Sequence, residues 1–200
     1  MNKILLDLFY KWGVLTLIDY CLSKISDFRN RLHVFINIKK LENRGVVFGK
    51  NVYIDSSVRF RISEKSILNI GDDVRILNDS WLITEDGDEL VIGDNTFISQ
   101  NVVISGNITI GRDTLIAGYV SIIDANHNYS DVRLNINEQG GNKKSITIGS
   151  DVWIGTHSVI LQGVNIGDHS IIGANSTVTK SIGEYIVAAG SPAEIIKKRI

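Results

Sequence analysis

Hydrophobic residues recur every six positions from Phe48 almost to the end of the chain. Aliphatic or phenylalanine residues stand at 48, 54, 60, 70, 76, 82, 92, 98, 104, 110, 116, 122, 148, 154, 160, 166, 172 and 178. Glycine directly follows eight of these eighteen residues, and the position four residues on is usually Val, Ile, Ser or Thr. A six-residue period does not fit a helical turn of 3.6 residues. Regular glycines among β-branched residues favour short strands joined by tight turns.

The repeat predicts a triangular coil in which each hexapeptide forms one flat side and its turn. The first residue of each hexapeptide and the small residue four positions on are expected to point inward. Coils of eighteen residues begin at 48, 70, 92, 110, 148 and 166, so four residues are inserted in each of the first two coils and twenty in the fourth. The two short insertions are expected to stack on each other. A β-sandwich is disfavoured, because it has no reason to keep a six-residue phase.

Residues 1–47 have a different pattern, which predicts an amphipathic helical arm with a wide apolar face. Asp7, Lys11 and Asp19 interrupt its apolar run, so a transmembrane helix is not predicted. The part up to Arg44 carries a net charge of +4, and the remainder carries −5. We expect the arm to pack on the repeat or on a neighbouring subunit. Peripheral contact with the inner face of a membrane is the alternative.

The composition describes one folded domain with a small appendage. The 200 residues are 44% hydrophobic, and 21 Lys and Arg balance 22 Asp and Glu, so a general nucleic-acid binder is disfavoured. Cys21 is the single cysteine, which excludes an intrachain disulfide and favours a reducing, cytoplasmic location.

The closing run IGSDVWIGTHSVILQGVNIGDHSIIGANSTVTKSI, followed by VAAGSPAEII, resembles the hexapeptide-repeat acyltransferases. The branch with galactoside, maltose and xenobiotic acetyltransferases and polysaccharide O-acetyltransferases is the most similar. The resemblance covers residues 48–200. It implies an all-β fold, a left-handed parallel β-helix, which follows the helical arm that the pattern of residues 1–47 predicts. A short C-terminal helix is expected, and the C-terminal tail comprises residues 184–200. It also implies a homotrimer.

His127 begins the twenty-residue excursion, residues 128–147. A long loop in a minimal repeat is usually functional, and a neutral imidazole takes the proton of an attacking alcohol. The resemblance implies that His127 is the general base. Asp124 or Asn126 is a candidate for orienting its ring, and the positions that contact the acceptor in relatives fall near Ser99 and Asn107.

The same resemblance implies that Trp153 lines the acetyl and pantetheine site, and that Thr179 and Lys180 lie near the nucleotide end of acetyl-CoA. Thr156 and Ala174 are 18 residues apart at the same position of the repeat, so we expect them to stack and to fit an extended pantetheine arm. Lys197 and Lys198 are further candidate cations. Glu194 stands where relatives often carry Arg. The register places His127 and Trp153 at different corners, about 20 Å apart, so we expect each active site to combine two subunits.

A metal site is not expected. His157 and His169 lie on different sides of the coil, and no closely paired histidine follows the repeat. Cys21 lies outside the repeat, so direct transfer from acetyl-CoA is expected without a metal or an acyl-cysteine.

The predicted function is transfer of acetyl from acetyl-CoA to a sugar hydroxyl, in a bacterial surface polysaccharide or its precursor. The alternatives are N-acetylation of an amino sugar and a non-catalytic β-helix scaffold.

Overall fold

The computed structural model describes residues 45–199 together with Leu22, Lys39, Leu41 and Glu42. The chain divides into two compact units, Met1–Lys40 and Leu41–Ile200. The predicted helical arm lies almost entirely outside the described residues and stays a prediction. Within the described residues, no helix has the length and apolar character needed to cross a membrane.

Short strands in the second unit form three sheets that run along a coil. The first sheet consists of β1 (Val47–Phe48), β4 (Ile67–Ile70), β7 (Glu89–Ile92), β10 (Ile108–Ile110), β15 (Ile146–Ile148) and β18 (Asn165–Ile166). The second consists of β2 (Tyr53–Ile54), β5 (Arg75–Ile76), β8 (Phe97–Ile98), β11 (Leu115–Ile116), β16 (Trp153–Ile154), β19 (Ile171–Ile172), β21 (Ile186–Gly190) and β22 (Ala193–Lys198). The third consists of β3 (Arg59–Ile62), β6 (Trp81–Thr84), β9 (Val103–Ser105), β12 (Ser121–Ile123), β17 (Val159–Ile160) and β20 (Thr177–Val178).

The six-residue period sets which side chains enter the core. Strands of successive coils pair in parallel, and Ile92, Ile110 and Ile148 stack at equivalent positions with almost no exposure. The small residues four positions on are also buried, and their hydroxyl groups donate to turn carbonyls, as Ser158 does to Gly173 at 2.9 Å. Buried hydroxyl groups are thereby satisfied. The architecture is the left-handed parallel β-helix that was expected.

The first corner of the coil explains why glycine follows the core residue. A Cβ atom on Gly111 would lie 2.6 Å from the backbone of Gly149 in the next coil, which is too close for any side chain. Further around the corners, twelve described residues other than glycine have a positive φ, and eight of these are Asn or Asp, which tolerate that conformation best.

The other four residues with a positive φ are aromatic and stack in pairs. Tyr119 lies on His157 with ring centroids 4.7 Å apart, and His169 lies on Tyr185 at 4.6 Å. Each pair joins consecutive coils at one corner. Ring stacking of this kind contributes about 0.5–1.5 kcal/mol beyond the area that it buries.

The two four-residue insertions stack, as predicted. Arg59–Ile62 pairs in parallel with Trp81–Thr84, and Ile67–Ile70 pairs with Glu89–Ile92, so the turns between these strands lie one above the other. Ser66 Oγ and Thr84 Oγ1 are 2.6 Å apart at this junction.

The prediction of a short C-terminal helix is wrong. Residues 193–198 form β22, which pairs antiparallel with β21 at the edge of the second sheet. Six residues are too few for a stable isolated helix, whereas the free edge of β21 offers backbone partners directly. Ala193 is buried in this pair, and the five residues after it are exposed.

Candidate active site

His127 lies at the point where the chain leaves the coil. It ends β13 (Ala125–His127), which follows β12 and pairs antiparallel with β14 (Gly141–Lys143), so that His127 faces Gly141 across the hairpin. The side chain of His127 is exposed, and its backbone N–H donates to Asn126 Oδ1 at 2.9 Å. The β-helix thus presents this imidazole on a hairpin that stands outside the core.

Hydrogen bonds within the excursion give it a defined shape. Asn128 donates from its backbone N–H to the carbonyl of Gly140 and from Nδ2 to the carbonyl of Gln139, each at 3.0 Å. Gln139 Oε1 in turn accepts from the backbone N–H of Asp131 at 3.0 Å. The tip contains a short 3₁₀ helix, Ile136–Glu138. The loop is therefore held by its own polar groups.

Two cavities adjoin His127. The larger has a volume of about 730 Å³, and its lining includes Glu85, Ile123, Asn137 and Lys143. The smaller has a volume of about 320 Å³, and its lining includes Tyr129, Asn142 and Gln162. Asn126 and His127 line both cavities. These volumes fall in the range of small-molecule sites, and the imidazole lies where it can meet a ligand.

Asp124 is buried beneath the hairpin. Its Oδ2 accepts a hydrogen bond of 2.8 Å from the backbone N–H of Asn107, and burial raises the pKa of its carboxyl group above the ordinary value. In the described part of the chain, neither Asp124 nor Asn126 hydrogen bonds to the imidazole of His127. The prediction that one of them orients the ring stays untested.

Ser99 and Asn107 occupy different corners of the coil. Asn107 precedes β10 and contacts Asp124 close to the excursion, whereas Ser99 follows β8 and its hydroxyl donates to Gln100 Oε1 at 2.6 Å. Neither residue is among those that line the two described cavities at His127. Their proposed contact with an acceptor stays a prediction.

The residues predicted to bind the acetyl-CoA donor lie on the second sheet and in the turns that follow its strands. Trp153 begins β16 between Leu115 and Ile171 of the neighbouring coils, and its side chain is 51% exposed. The carbonyl of Thr156 accepts a hydrogen bond of 2.9 Å from the backbone N–H of Asn175 in the next coil. Ala174 directly precedes Asn175 and therefore lies beside Thr156. Thr156 Oγ1 donates to the carbonyl of Gly118 at 2.6 Å. Gly118, Thr156 and Ala174 therefore form a row of small residues along this corner.

The cations proposed for the nucleotide end are separated. Thr179 and Lys180 follow β20 of the third sheet, whereas Lys197 lies in β22 opposite Val187 at the edge of the second sheet. Lys180, Lys197, Lys198 and Glu194 are all exposed. These side chains are accessible to a ligand, but Lys180 and Lys197 follow different sheets and do not form one cluster.

Among the described residues, His157 and His169 do not form a ligand set. His157 stacks on Tyr119, and His169 Nδ1 lies 3.0 Å from Asp151 Oδ2. Across the described residues, no group of three or more His, Cys, Asp or Glu is arranged to hold a metal ion.

The repeats match a known family model. This model, described as bacterial transferase hexapeptide (six repeats), matches residues 90–124 and 145–180. In these two segments the chain is similar to the hexapeptide-repeat transferases. Both matched segments lie in the β-helix, and the interval between them is the excursion.

Three proteins that are similar to this chain are named as acetyltransferases. A probable acetyltransferase of Mycobacterium tuberculosis (strain ATCC 25618 / H37Rv) is 34% identical over 162 residues, which are 78% of this chain and 51% of that protein. Galactoside O-acetyltransferase of Escherichia coli (strain K12) is 58% identical over 53 residues, 26% of each chain. The putative lipopolysaccharide biosynthesis O-acetyl transferase WbbJ of the same strain is 44% identical over 96 residues, 44% of this chain and 49% of that one. The chain thus spans about half the length, or less, of these curated relatives.

Two solved structures extend the comparison. A mutant of AntD, an N-acyltransferase from Bacillus cereus in complex with dTDP-4-amino-4,6-dideoxyglucose and coenzyme A, has a TM-score of 0.69 and 25% identity, covering 81% of this chain and 89% of that one. A hexapeptide-repeat containing acetyltransferase of Vibrio cholerae O1 biovar eltor, complexed with acetyl coenzyme A, has a TM-score of 0.57 and 29% identity, covering 78% and 72%.

The sequence analysis missed one group of residues at the candidate site. Lys143 Nζ lies 3.0 Å from both carboxylate oxygens of Asp88 and 2.9 Å from Glu85 Oε2. Burial lowers the pKa of Lys143, but hydrogen bonds to Glu85 and Asp88 outweigh it, so the pKa is raised. The only available signal was that the acidic run EDGDE fills the insertion of the second coil. Nothing in the repeat indicates that the excursion would return beside it.

Proposed function

We propose that this protein transfers an acetyl group from acetyl-CoA to a hydroxyl group of a sugar, in a bacterial surface polysaccharide or its precursor. The observation that carries the proposal is His127, an exposed imidazole between two cavities of ligand size at the root of an ordered excursion. The acetyltransferase relatives, one named for lipopolysaccharide biosynthesis, support the same reaction.

In this mechanism His127 is the general base. The neutral imidazole removes the proton of the acceptor hydroxyl as its oxygen bonds to the thioester carbonyl carbon, and the bond from that carbon to sulfur breaks. The acetyl group ends on the acceptor oxygen, and the proton held by the imidazole is available to the departing coenzyme A thiolate. A backbone N–H near the carbonyl would stabilise the negative charge on its oxygen. The transfer is direct and forms no acyl-enzyme.

The donor is proposed to lie along the second corner of the coil. Small side chains at Thr156 and Ala174 leave the backbone accessible to an extended pantetheine arm, and the exposed Trp153 offers an apolar surface at the acetyl end. Lys180, beside Thr179, would contact the phosphates of the nucleotide, and Lys197 at the edge of the second sheet is a separate candidate. This assignment fits the CoA complexes of the solved relatives.

Each complete site is proposed to combine two subunits of a homotrimer. In one chain, Trp153 is absent from the lining of both described cavities at His127, and the two residues belong to different sheets. A neighbouring subunit would supply the donor corner to the hairpin of the first. The acceptor would then contact Asn126 and Asn107 near the hairpin, with Ser99 contributed from the donor corner. Asp124 is buried and would act indirectly, by holding the backbone of Asn107.

N-acetylation of an amino sugar is the second candidate. It is favoured by the similarity to AntD, an N-acyltransferase whose complex contains an amino sugar nucleotide and coenzyme A. An exposed carboxylate, Glu85, in the wall of the larger cavity is compatible with a cationic acceptor.

The experiment is transfer of labelled acetyl from acetyl-CoA to a set of bacterial sugars and polysaccharides. We expect label that depends on His127 and is released by mild alkali, because alkali cleaves esters. Label that survives alkali would indicate an amide and favour the amino sugar. His127→Ala is expected to abolish transfer, and His169→Ala, at a distant corner, provides the matched histidine control. Equal transfer by wild type and His127→Ala would refute the role of His127, and no binding of coenzyme A would revive a non-catalytic scaffold.

A further inference from the structure

Lys143 connects the two irregular parts of the repeat. It comes from the end of the excursion, and its ammonium group reaches Asp88 and Glu85 in the insertion of the second coil, 55 residues before it at Asp88. The contact to Asp88 is bidentate, with both distances 3.0 Å, and the side chain of Asp88 is only 6% exposed. Removing the cationic partner of a buried carboxylate strongly destabilises a protein, because it leaves a buried charge unpaired. We therefore expect this contact to stabilise the protein more than a surface ion pair does.

The carboxylates are themselves held in place by the stacked insertions. Asp88 Oδ2 accepts from the backbone N–H of Glu85 at 2.7 Å, which closes the turn of the second insertion. Arg61 of the first insertion lies 3.6 Å from Glu85, between Nη2 and Oε1. Lys65 lies 3.5 Å from Asp86, between Nζ and Oδ2. The acidic turn is therefore held by contacts with the preceding coil, and its carboxylates have fixed positions beside Lys143.

The hairpin that carries His127 is not anchored by apolar packing. All six residues of β13 and β14 are exposed, so no apolar side chain of the hairpin packs into the core. An isolated two-stranded hairpin is at best marginally stable in water. Backbone bonds tie the end of the hairpin to the coil, from Lys144 N–H to the Asp124 carbonyl at 2.9 Å and from Gly163 N–H to the Lys144 carbonyl at 3.0 Å. The side chain of Gln162 lies beside Asn142 of β14, and the side chain of Lys143 adds the ion pair with Asp88.

We propose that Lys143 and Asp88 form a positioning pair, the clamp, which holds the β13 and β14 hairpin in the orientation that presents His127 to the acceptor. Lys143 lies opposite Ala125, two residues from His127 on the same strand. Glu85 supports the clamp from the more exposed side. The inference assigns a role to the acidic insertion of the second coil and to the lysine in the returning strand of the excursion. It rests on the proposed role of His127.

The kinetic test compares Lys143→Gln, Asp88→Asn, the double variant and Lys143→Arg. We expect kcat to fall about tenfold to a hundredfold in each single neutral variant, with KM for acetyl-CoA unchanged, because a displacement of about 1 Å at the base has such an effect. Lys143→Arg should retain most of the activity, since a guanidinium also contacts a carboxylate with two bonds. The double variant should be no slower than either single one. Lys50→Gln, an exposed lysine at another corner, is the control.

Hydrogen exchange tests the clamp without reference to activity. The N–H of Asn128, which donates to Gly140 across the hairpin, should exchange at least about tenfold faster in the double variant, while the amides of β10 and β15 keep their rates. The double variant leaves no unpaired buried charge, so it separates loss of the clamp from loss of the fold. Unchanged exchange together with unchanged kcat would overturn the inference. Faster exchange without any transfer dependent on His127 in the wild type would instead overturn the proposed function alone.

Discussion

Asp124 accepts a hydrogen bond of 2.8 Å from the backbone N–H of Asn107, which holds a buried carboxylate against the backbone of the preceding coil. The residue before Asn107 is Gly106, whose φ is +110°. A Cβ atom at Gly106 would overlap the carboxylate of Asp124. The corner below the excursion therefore depends on a glycine that is outside the regular repeat.

Gly106→Ala is expected to lower the free energy of unfolding by more than the strain of a positive φ alone. Gly87 also has a positive φ, +86°, but a Cβ atom there meets nothing within 4 Å. Both alanine variants should lose stability through backbone strain of about 1–3 kcal/mol. Overlap with Asp124 should make Gly106→Ala less stable by a further 1–3 kcal/mol or so. Urea unfolding measures the difference, and equal losses in the two variants would contradict the packing described here.

Gly111→Ala should disturb the first corner, where successive coils are in contact. Its Cβ atom would lie 2.6 Å from the backbone of Gly149, and backbone cannot move aside as a flexible side chain does. The expected loss is about 2 kcal/mol or more in the free energy of unfolding. Gly183→Ala is the matched control, because its Cβ atom would make only an ordinary contact of 4.0 Å with Ile186. A change within about 0.5 kcal/mol is expected there.

Asp151 should make stability depend on pH in the acid range. A hydrogen bond with His169, and then one with Arg199, lowers the pKa of Asp151 from its ordinary value of 3.8. Because the folded pKa is the lower one, the stabilisation is present above pH 3.8 and is lost as the pH falls through the folded value. Unfolding of wild type and Asp151→Asn between pH 7 and pH 2.5 or so should show the stability of the two converging at the acid end. A constant difference over this range would contradict the contribution of Asp151.

Mixed oligomers test whether an active site combines two subunits. His127→Ala and Trp153→Ala should each lose most of their transfer activity. When equal amounts are unfolded and reassembled together, a site receives an intact His127 from one chain and an intact Trp153 from the other in about one case of four. Recovery of about a quarter of the wild-type activity is therefore expected. No recovery, with oligomers of the correct size, would place both residues in one chain.

Much of the fold could be predicted, because in a repeat the direction of a side chain depends only on its position within the hexapeptide. Ile92, Ile110 and Ile148 are buried for that reason, and the two insertions stack because both follow the same side of successive coils. The C-terminal segment has no such phase. Its pairing with β21 depends on the free sheet edge, which the sequence of residues 193–198 does not reveal.

For the candidate site, the hexapeptide phase is enough to place His127 at the root of the excursion and at a different corner from Trp153, because the phase counts through both residues. It also puts Tyr119 and His157 at equivalent positions of successive coils. The contact between Lys143 and Asp88 emerges only from the folded chain. The physical reason is that the excursion abandons the period. Where it returns, contact between residues far apart in the chain is set by the path of the backbone and by the pairing of buried charge, and local sequence encodes neither.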